Sequence, residues 1–134
     1  MTEISPSIDA YLHNHRTGVL ATSGTRAPQQ TLVAYHFDGK DILISVRGFS
    51  QKAKNLRRNP EASLAVIDGT TQLIVRGRIS MIDDSDEVLR LNQQRMRLIS
   101  TRDETDEEMA QRLRDEQRVI LRLIPERFHP PILE

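Results

Sequence analysis

The chain has 134 residues, with 19 basic and 19 acidic side chains, a formal net charge of zero and no cysteine. The absence of cysteine excludes disulfides, thiolate zinc sites, thiolate-held iron–sulfur clusters and cysteine nucleophiles, and the balanced charge argues against wholesale binding to nucleic acid. Hydrophobic residues make up 37% and aromatic residues only 4%, so a single domain over residues 1–134 must build its core from Val, Ile, Leu and Ala.

No apolar run approaches the length that spans a bilayer. The first residues, Met1-Thr2-Glu3-Ile4-Ser5-Pro6, carry neither the basic nor the apolar region of a signal peptide, so the expectation is a soluble, cytoplasmic protein with no membrane partner. Ser5-Pro6 reads as a helix cap followed by proline in the first turn, and Ile8, Tyr11 and Leu12 then share one helical face. A strand is expected over residues 19–23 and a second over about 29–37. Asp38-Gly39 signals a hairpin that returns over 41–46. A short basic helix follows and Pro60 ends it. Strands over 62–67 and 72–82 flank a second hairpin at 68–71. In the latter, Leu73, Val75, Gly77, Ile79 and Met81 face one way, and Arg76, Arg78 and Ser80 the other.

The pattern then changes. Residues 83–100 carry Val88, Leu91, Arg95 and Leu98 at helical spacing, and Thr105-Asp106-Glu107-Glu108 forms a capping box before Met109 and Leu113. Both segments are charged outside their apolar stripes, which suits helices lying on a β core. The segment 101–108 is the one most suited to move. A last strand is expected over 118–124, with an extended or turning tail over 125–134. This order fits a small closed barrel with helices on its outside.

The most informative stretch is Ser50-Gln51-Lys52-Ala53-Lys54-Asn55-Leu56-Arg57-Arg58-Asn59-Pro60, a basic helix start between two apolar strands. Ser50 caps the helix, leaving backbone N–H groups to face an anion, and Lys52 adds a full charge. Ser45 and Arg47 share one face of the preceding strand. Arg47, Ser50 and Lys52 therefore converge on one phosphate, with Gln29 and Thr31 on the neighbouring strand within reach of the polar part of the same ligand. Gly48 stands where a ligand's close approach would require glycine. Arg57 and Arg58, at the helix end, read first as carbonyl caps. The alternative is a solvated basic helix that merely connects two strands.

Nothing else carries chemistry as well. His13, His15, His36 and His129 show no metal-ligand spacing, so no metal is expected. There is no Gly-x-Ser-x-Gly elbow. The carboxylates between Asp83 and Glu116 suit solvated helical faces.

The phrase Ser50-x-Lys52-x-x-Asn55-Leu56-Arg57-Arg58-Asn59-Pro60 resembles the S/R-x-K-x-x-N-L-R-R-D-P signature of the pyridoxamine 5′-phosphate oxidase-like FMN-binding split β-barrel family, flavin- and deazaflavin-dependent oxidoreductase branch. Gly18-Val19-Leu20-Ala21-Thr22, Pro28-Gln29, Tyr35-His36-Phe37-Asp38, Gly77 and Pro125-Glu126-Arg127-Phe128-His129-Pro130-Pro131 agree with it in order. The resemblance implies a mostly β, six-stranded antiparallel split barrel with peripheral α-helices. It implies a homodimer with two cofactor clefts at the interface, each closed by the partner's C-terminal tail. By the same match, Lys52 and Ser50 bind the phosphate, with Gln51 beside them and Asn55 supporting the turn. Gln29 and Thr31 approach the ring or ribityl chain, and Ser45 and Val46 line the ring face. The segment Arg47-Gly48-Phe49 is shorter than in many relatives. A family arginine often stands where Ser50 stands here, with Arg47 as its substitute. The substrate motif of true pyridoxamine phosphate oxidases is missing, so that activity is not expected.

The implied function is an oxidoreductase that uses a deazaflavin coenzyme (F-420) or FMN for hydride transfer to or from a small organic substrate. Tyr35, His36 or solvent would supply a proton, and no catalytic residue is assigned. The alternative is a non-catalytic carrier or sensor of flavin, deazaflavin or haem, the last needing His129 or His36 as ligand. An RNA-binding role lacks the aromatic residues that stack on bases.

Overall fold

A computed structural model describes residues 3–99 and 103–130, with side chains at all of these except 96–99. Helix α1 (Pro6–His13) begins as its sequence dictates: Ser5 is extended and its Oγ accepts the Ile8 N–H, while Pro6 sits where its missing N–H costs nothing. Then come β1 (Thr17–Ser23), β2 (Pro28–Ala34), β3 (His36–Phe37), β4 (Ile42–Arg47), α2 (Gln51–Arg58), β5 (Glu61–Asp68), β6 (Thr71–Ile82), α3 (Ser85–Ile99), α4 (Asp106–Asp115) and β7 (Arg118–His129).

All strand pairs are antiparallel, in the order β2-β1-β5-β6-β7-β4-β3. The described residues form seven strands where six were expected, because the stretch 28–37 divides at Tyr35. Strand β2 lies at one end of the sheet and β3 at the other, yet one residue joins them. The sheet must therefore curl until its ends meet. Tyr35 holds that joint: its N–H donates to the Arg16 carbonyl at 2.8 Å, and its buried hydroxyl donates to the Leu12 carbonyl at 2.8 Å. Strand β4 pairs with β3 only through Ile42 and Leu43, so from Ile44 onward that edge faces β2 without a ladder. The barrel is split there.

Inside the curl, Leu20, Ile44, Leu64, Val75 and Leu121 make one core, closed at one end by Ile8 and Leu12 of α1. On the outer face, Leu43 and Ile120 pack against Val88 and Leu91 of α3 and Met109 and Leu113 of α4. The apolar stripes of both helices are buried as their spacing requires; the Leu98 side chain lies outside the described residues. Of the segment expected to move, Thr101 also lies outside them, and Thr105 and Glu108 form the reciprocal capping box.

The tail corrects the sequence reading. Strand β7 does not stop at Ile124 but runs to His129, with residues 131–134 outside the description. Pro125 breaks the strand's sequence signal because it has no N–H to donate. The ladder accommodates it with a register shift between Arg76 and Gly77, which sets Gly77 opposite Pro125. A Cβ on Gly77 would collide with the Ile124 carbonyl oxygen. We expect Gly77→Ala to cost about 2 kcal/mol or more in urea unfolding, since the obstacle is backbone.

His15 ties α1 to the end of β5. Its Nδ1 lies 2.6 Å from the Tyr11 carbonyl and its Nε2 lies 3.0 Å from Asp68 Oδ2. The backbone acceptor, helped by Asp68, raises the imidazole pKa against the opposing effect of burial. A raised folded value means this contribution is full below the unfolded value of about 6.5 and is lost as pH rises through the folded one. Asp68→Asn should therefore lower the melting temperature near pH 6 and leave it almost unchanged near pH 9, as about the limits of that window. An equal loss at both would contradict the pairing.

Candidate cofactor groove at the split of the barrel

Strand β4 hands the chain to α2 through Gly48, Phe49 and Ser50. Ser50 is extended, its N–H donates to the Arg47 carbonyl at 3.1 Å, and its Oγ accepts the Ala53 N–H at 3.3 Å. A helix start leaves four N–H groups without helical partners. Two are thus satisfied, and those of Gln51 and Lys52 remain. The first turn carries no acid. This corner is biased toward an anion by dipole, N–H groups and the Lys52 ammonium together.

Beside it, a groove of about 460 Å³ opens in the split, lined by Leu32 and Val33 of β2, Ser45, Val46 and Arg47 of β4, then Phe49, Ser50, Lys52 and Arg118. Five of the nine expected residues, Ser45, Val46, Arg47, Ser50 and Lys52, thus share one concave surface. Arg118 sits directly across the ladder from Arg47. Its Nε donates to Glu116 Oε2 at 2.6 Å and its Nη1 to the Ser45 carbonyl at 3.2 Å. The Arg118 hydrogen bond, with the charges of Arg118, Arg112 and Arg47, holds the Glu116 carboxyl below the usual carboxylate range. Three cations, Arg47, Lys52 and Arg118, line the groove, and among the described residues no carboxylate does.

Gln51, Asn55 and Gln29 lie on the other side of α2. Gln51 Nε2 donates to Asn55 Oδ1 at 2.9 Å, and Asn55 Nδ2 donates to Thr22 Oγ1 and Gln29 Oε1, both at 3.1 Å. Asn55 is only 1% exposed. This network pins α2 to β1 and β2 and thereby aims the helix start at the split. Thr31 is also outside the groove lining, its hydroxyl buried with no hydrogen-bond partner among the described residues.

Gly48 requires a correction. Its N–H donates to the Gln117 carbonyl at 2.8 Å, and a Cβ would stand 2.8 Å from that same oxygen. The close approach that demands glycine is by the chain's own backbone, where Gln117 turns with a positive φ of 52°. Arg57 and Arg58 do cap carbonyls, but across the fold: Arg57 Nη1 reaches the Gly48 oxygen at 2.7 Å and Arg58 Nη2 the Ser23 oxygen at 2.6 Å. Tyr35 is spent on the barrel joint, and burial pushes its phenol pKa up. His129 is exposed at the end of β7.

Sequence reasoning missed Arg118, Leu32, Val33 and Phe49. Arg118 carries no local signal, since only the β4–β7 register brings it beside Arg47. Phe49 did carry one: it is one of five aromatic residues in the chain and follows directly on Gly48.

The chain belongs to the pyridoxamine 5′-phosphate oxidase family, whose profile matches residues 4–130. It is similar to a conserved hypothetical protein of Mycobacterium tuberculosis, with 28% identity, a TM-score of 0.78, and coverage of 96% of this chain and 84% of that one. An F420 reductase superposes with a TM-score of 0.72 at 24% identity, covering 93% and 98%. The haem storage protein of Vibrio cholerae does so with a TM-score of 0.68 at 20% identity, covering 95% and 94%. The last two likenesses establish the split-barrel fold. Among the described residues, no helix is long and apolar enough to cross a membrane.

Asn55→Ala should lower stability by about 1–3 kcal/mol, because the buried Thr22 oxygen and the half-buried Gln29 oxygen lose their donor. Hydrogen exchange should quicken first in α2, whereas uniform acceleration across the sheet would contradict a local anchoring role.

Proposed function

We propose that this chain is an oxidoreductase that binds a deazaflavin coenzyme (F-420) or FMN and carries out hydride transfer to or from a small organic substrate. The observation that carries this reading is the groove at the split, where Arg47, Lys52 and the start of α2 meet an apolar wall. A phosphate dianion suits that donor set, and Leu32, Val33, Val46 and Phe49 suit a planar ring. The cofactor supplies hydride chemistry when bound. The chain's part is to neutralise the anionic end with Lys52 and Arg47, to hold the helix start through Ser50 and Asn55, and to exclude water with Phe49 and Leu32. With the Tyr35 hydroxyl committed to Leu12 and His36 outside the groove lining, the proton for a reduced substrate is left to solvent.

One feature favours the deazaflavin coenzyme. The groove's cations are continued along the helix by exposed Lys54, and the coenzyme's longer anionic tail would run past Lys52 in that direction. We further propose that two copies pair over this region. Leu32 is 74% exposed and Phe49 52% exposed at the groove's rim, and a second barrel would cover both.

Equilibrium titration with FMN and with F-420 tests the site. Lys52→Ala should weaken binding by about 1–3 kcal/mol, the range for a charged hydrogen bond, while Glu107→Ala on α4 should leave it unchanged. Unaltered affinity in Lys52→Ala would overturn the assignment. Turnover separates enzyme from carrier: only an enzyme reoxidises the reduced cofactor in the presence of quinone or enone acceptors. Light scattering at a dimer's mass, shifted toward the monomer by Leu32→Glu, tests the pairing.

A further inference from the structure

The groove at the split holds more donors than one phosphate takes up. Strand β4 runs through its middle, with β2 facing one edge across the split and β7 laddered to the other. Lys52 and the helix start stand at the α2 end, and Arg118 stands on the β7 side. Arg47 lies between the two, after Ser45 on β4 and directly across the ladder from Arg118. A phosphate at the helix start is served by Lys52, the backbone N–H groups and Arg47. Arg118 is then left over.

This arginine is built for a ligand. Its side chain is 24% exposed in the groove wall and fixed at two points, Nε on Glu116 and Nη1 on the Ser45 carbonyl. A guanidinium carries five N–H donors. The other three make no hydrogen bond among the described residues. The carboxylate that holds Arg118 is also shared, for Glu116 lies 3.8 Å from Arg112 as well. Arg47 is exposed and makes no hydrogen bond or ion pair among the described residues. Like charges set directly opposite each other on one face of a sheet cost stability, and an anion between them offsets that cost. The half-buried Ser45 residue shares this face and lines the groove, and its hydroxyl has no partner among the described residues.

We propose that Arg118 and Ser45 form a second anion subsite of the groove, which takes the carboxylate of the substrate. The class follows from the donors. An arginine held by two hydrogen bonds presents a flat, fixed fork that matches the two oxygens of a carboxylate. The Ser45 hydroxyl adds a third donor from the same face. Glu116 is a positioning residue: by holding Nε it sets the plane of that fork. A substrate so bound lies on the β7 side, and the apolar residues of β2 are left to the planar ring of the cofactor. Assigning the carboxylate to the substrate rests on the groove being the cofactor site, whereas the anion subsite itself does not.

Isothermal titration of the whole chain with cinnamate, a planar carboxylate, and with cinnamamide, its neutral counterpart, tests the proposal. It is run without cofactor and with FMN or F-420 added, on the wild type, Arg118→Gln, Arg118→Lys and Lys52→Ala. We expect saturable cinnamate binding, weakened about tenfold or more by Arg118→Gln, the effect of removing a charged hydrogen bond. Arg118→Lys keeps the charge and loses the fork, so it should fall between the two. Cinnamamide should not bind. Lys52→Ala should weaken FMN and F-420 and spare cinnamate, and Arg118→Gln should do the reverse. In the wild type, cinnamate and not cinnamamide should shift the Arg118 Nε–H resonance, a readout that needs no variant to fold. Absence of saturable cinnamate binding, equal binding of the amide, or unchanged affinity in Arg118→Gln would each overturn the subsite. Equal weakening of cofactor and cinnamate by Arg118→Gln would overturn the assignment to the substrate, because it puts this arginine on the cofactor's anionic end. Failure of the wild type to bind either cofactor would sink the oxidoreductase reading instead, and the titration without cofactor would still decide the subsite.

Discussion

Everything in this fold follows from one short covalent link. Strand β2 ends at Ala34, β3 begins at His36, and the two belong to opposite ends of the same sheet. A sheet so tied has no flat alternative. Its right-handed twist must be carried round until the ends meet, with Tyr35 at the seam. The seam is itself anchored, because the Tyr35 hydroxyl and N–H bind the Leu12 and Arg16 carbonyls at the end of α1 and just beyond it. Helix α1 thus closes the barrel's end and fixes its join at the same place.

The same link opens the groove. The chain 28–37 pairs with β1 through its first part and with β4 only through its last two residues. It leaves the other edge of β4 unpaired from Ile44 to Arg47, and the candidate groove lies in that gap. The seam and the split are therefore one geometric event. A barrel closed along its full length would have no such crevice for Lys52 and Arg47 to face.

What surrounds the groove is held by polar contacts at long sequence separation. Asn55 connects α2 to Thr22 and Gln29, Arg57 and Arg58 reach the Gly48 and Ser23 carbonyls, and Gly48 touches Gln117. Apart from the exposed Arg58–Ser23 contact, these are buried or half-buried polar groups that must find a partner once the barrel has curled. Their combined effect is to orient a basic helix of eight residues so that its start faces the split. Charge then accumulates on the groove side from β4, α2 and β7 together, with Glu116 as the local counterweight.

Most elements were legible in the chain itself because their signals are local. The alternation of β6, the Ser5-Pro6 start of α1, the Ser50 cap and the Thr105–Glu108 box each depend on residues a few positions apart. The convergence of Ser45, Arg47, Ser50 and Lys52 was readable for the same reason, since all four lie within one strand-to-helix turn. Tertiary structure alone decided the rest. It split the second strand at Tyr35 and carried β7 past Pro125. It brought Arg118 to Arg47 and turned Gly48 toward Gln117. Those outcomes depend on sheet register and closure, which are set by the summed packing of the barrel. No window of neighbouring residues contains that information.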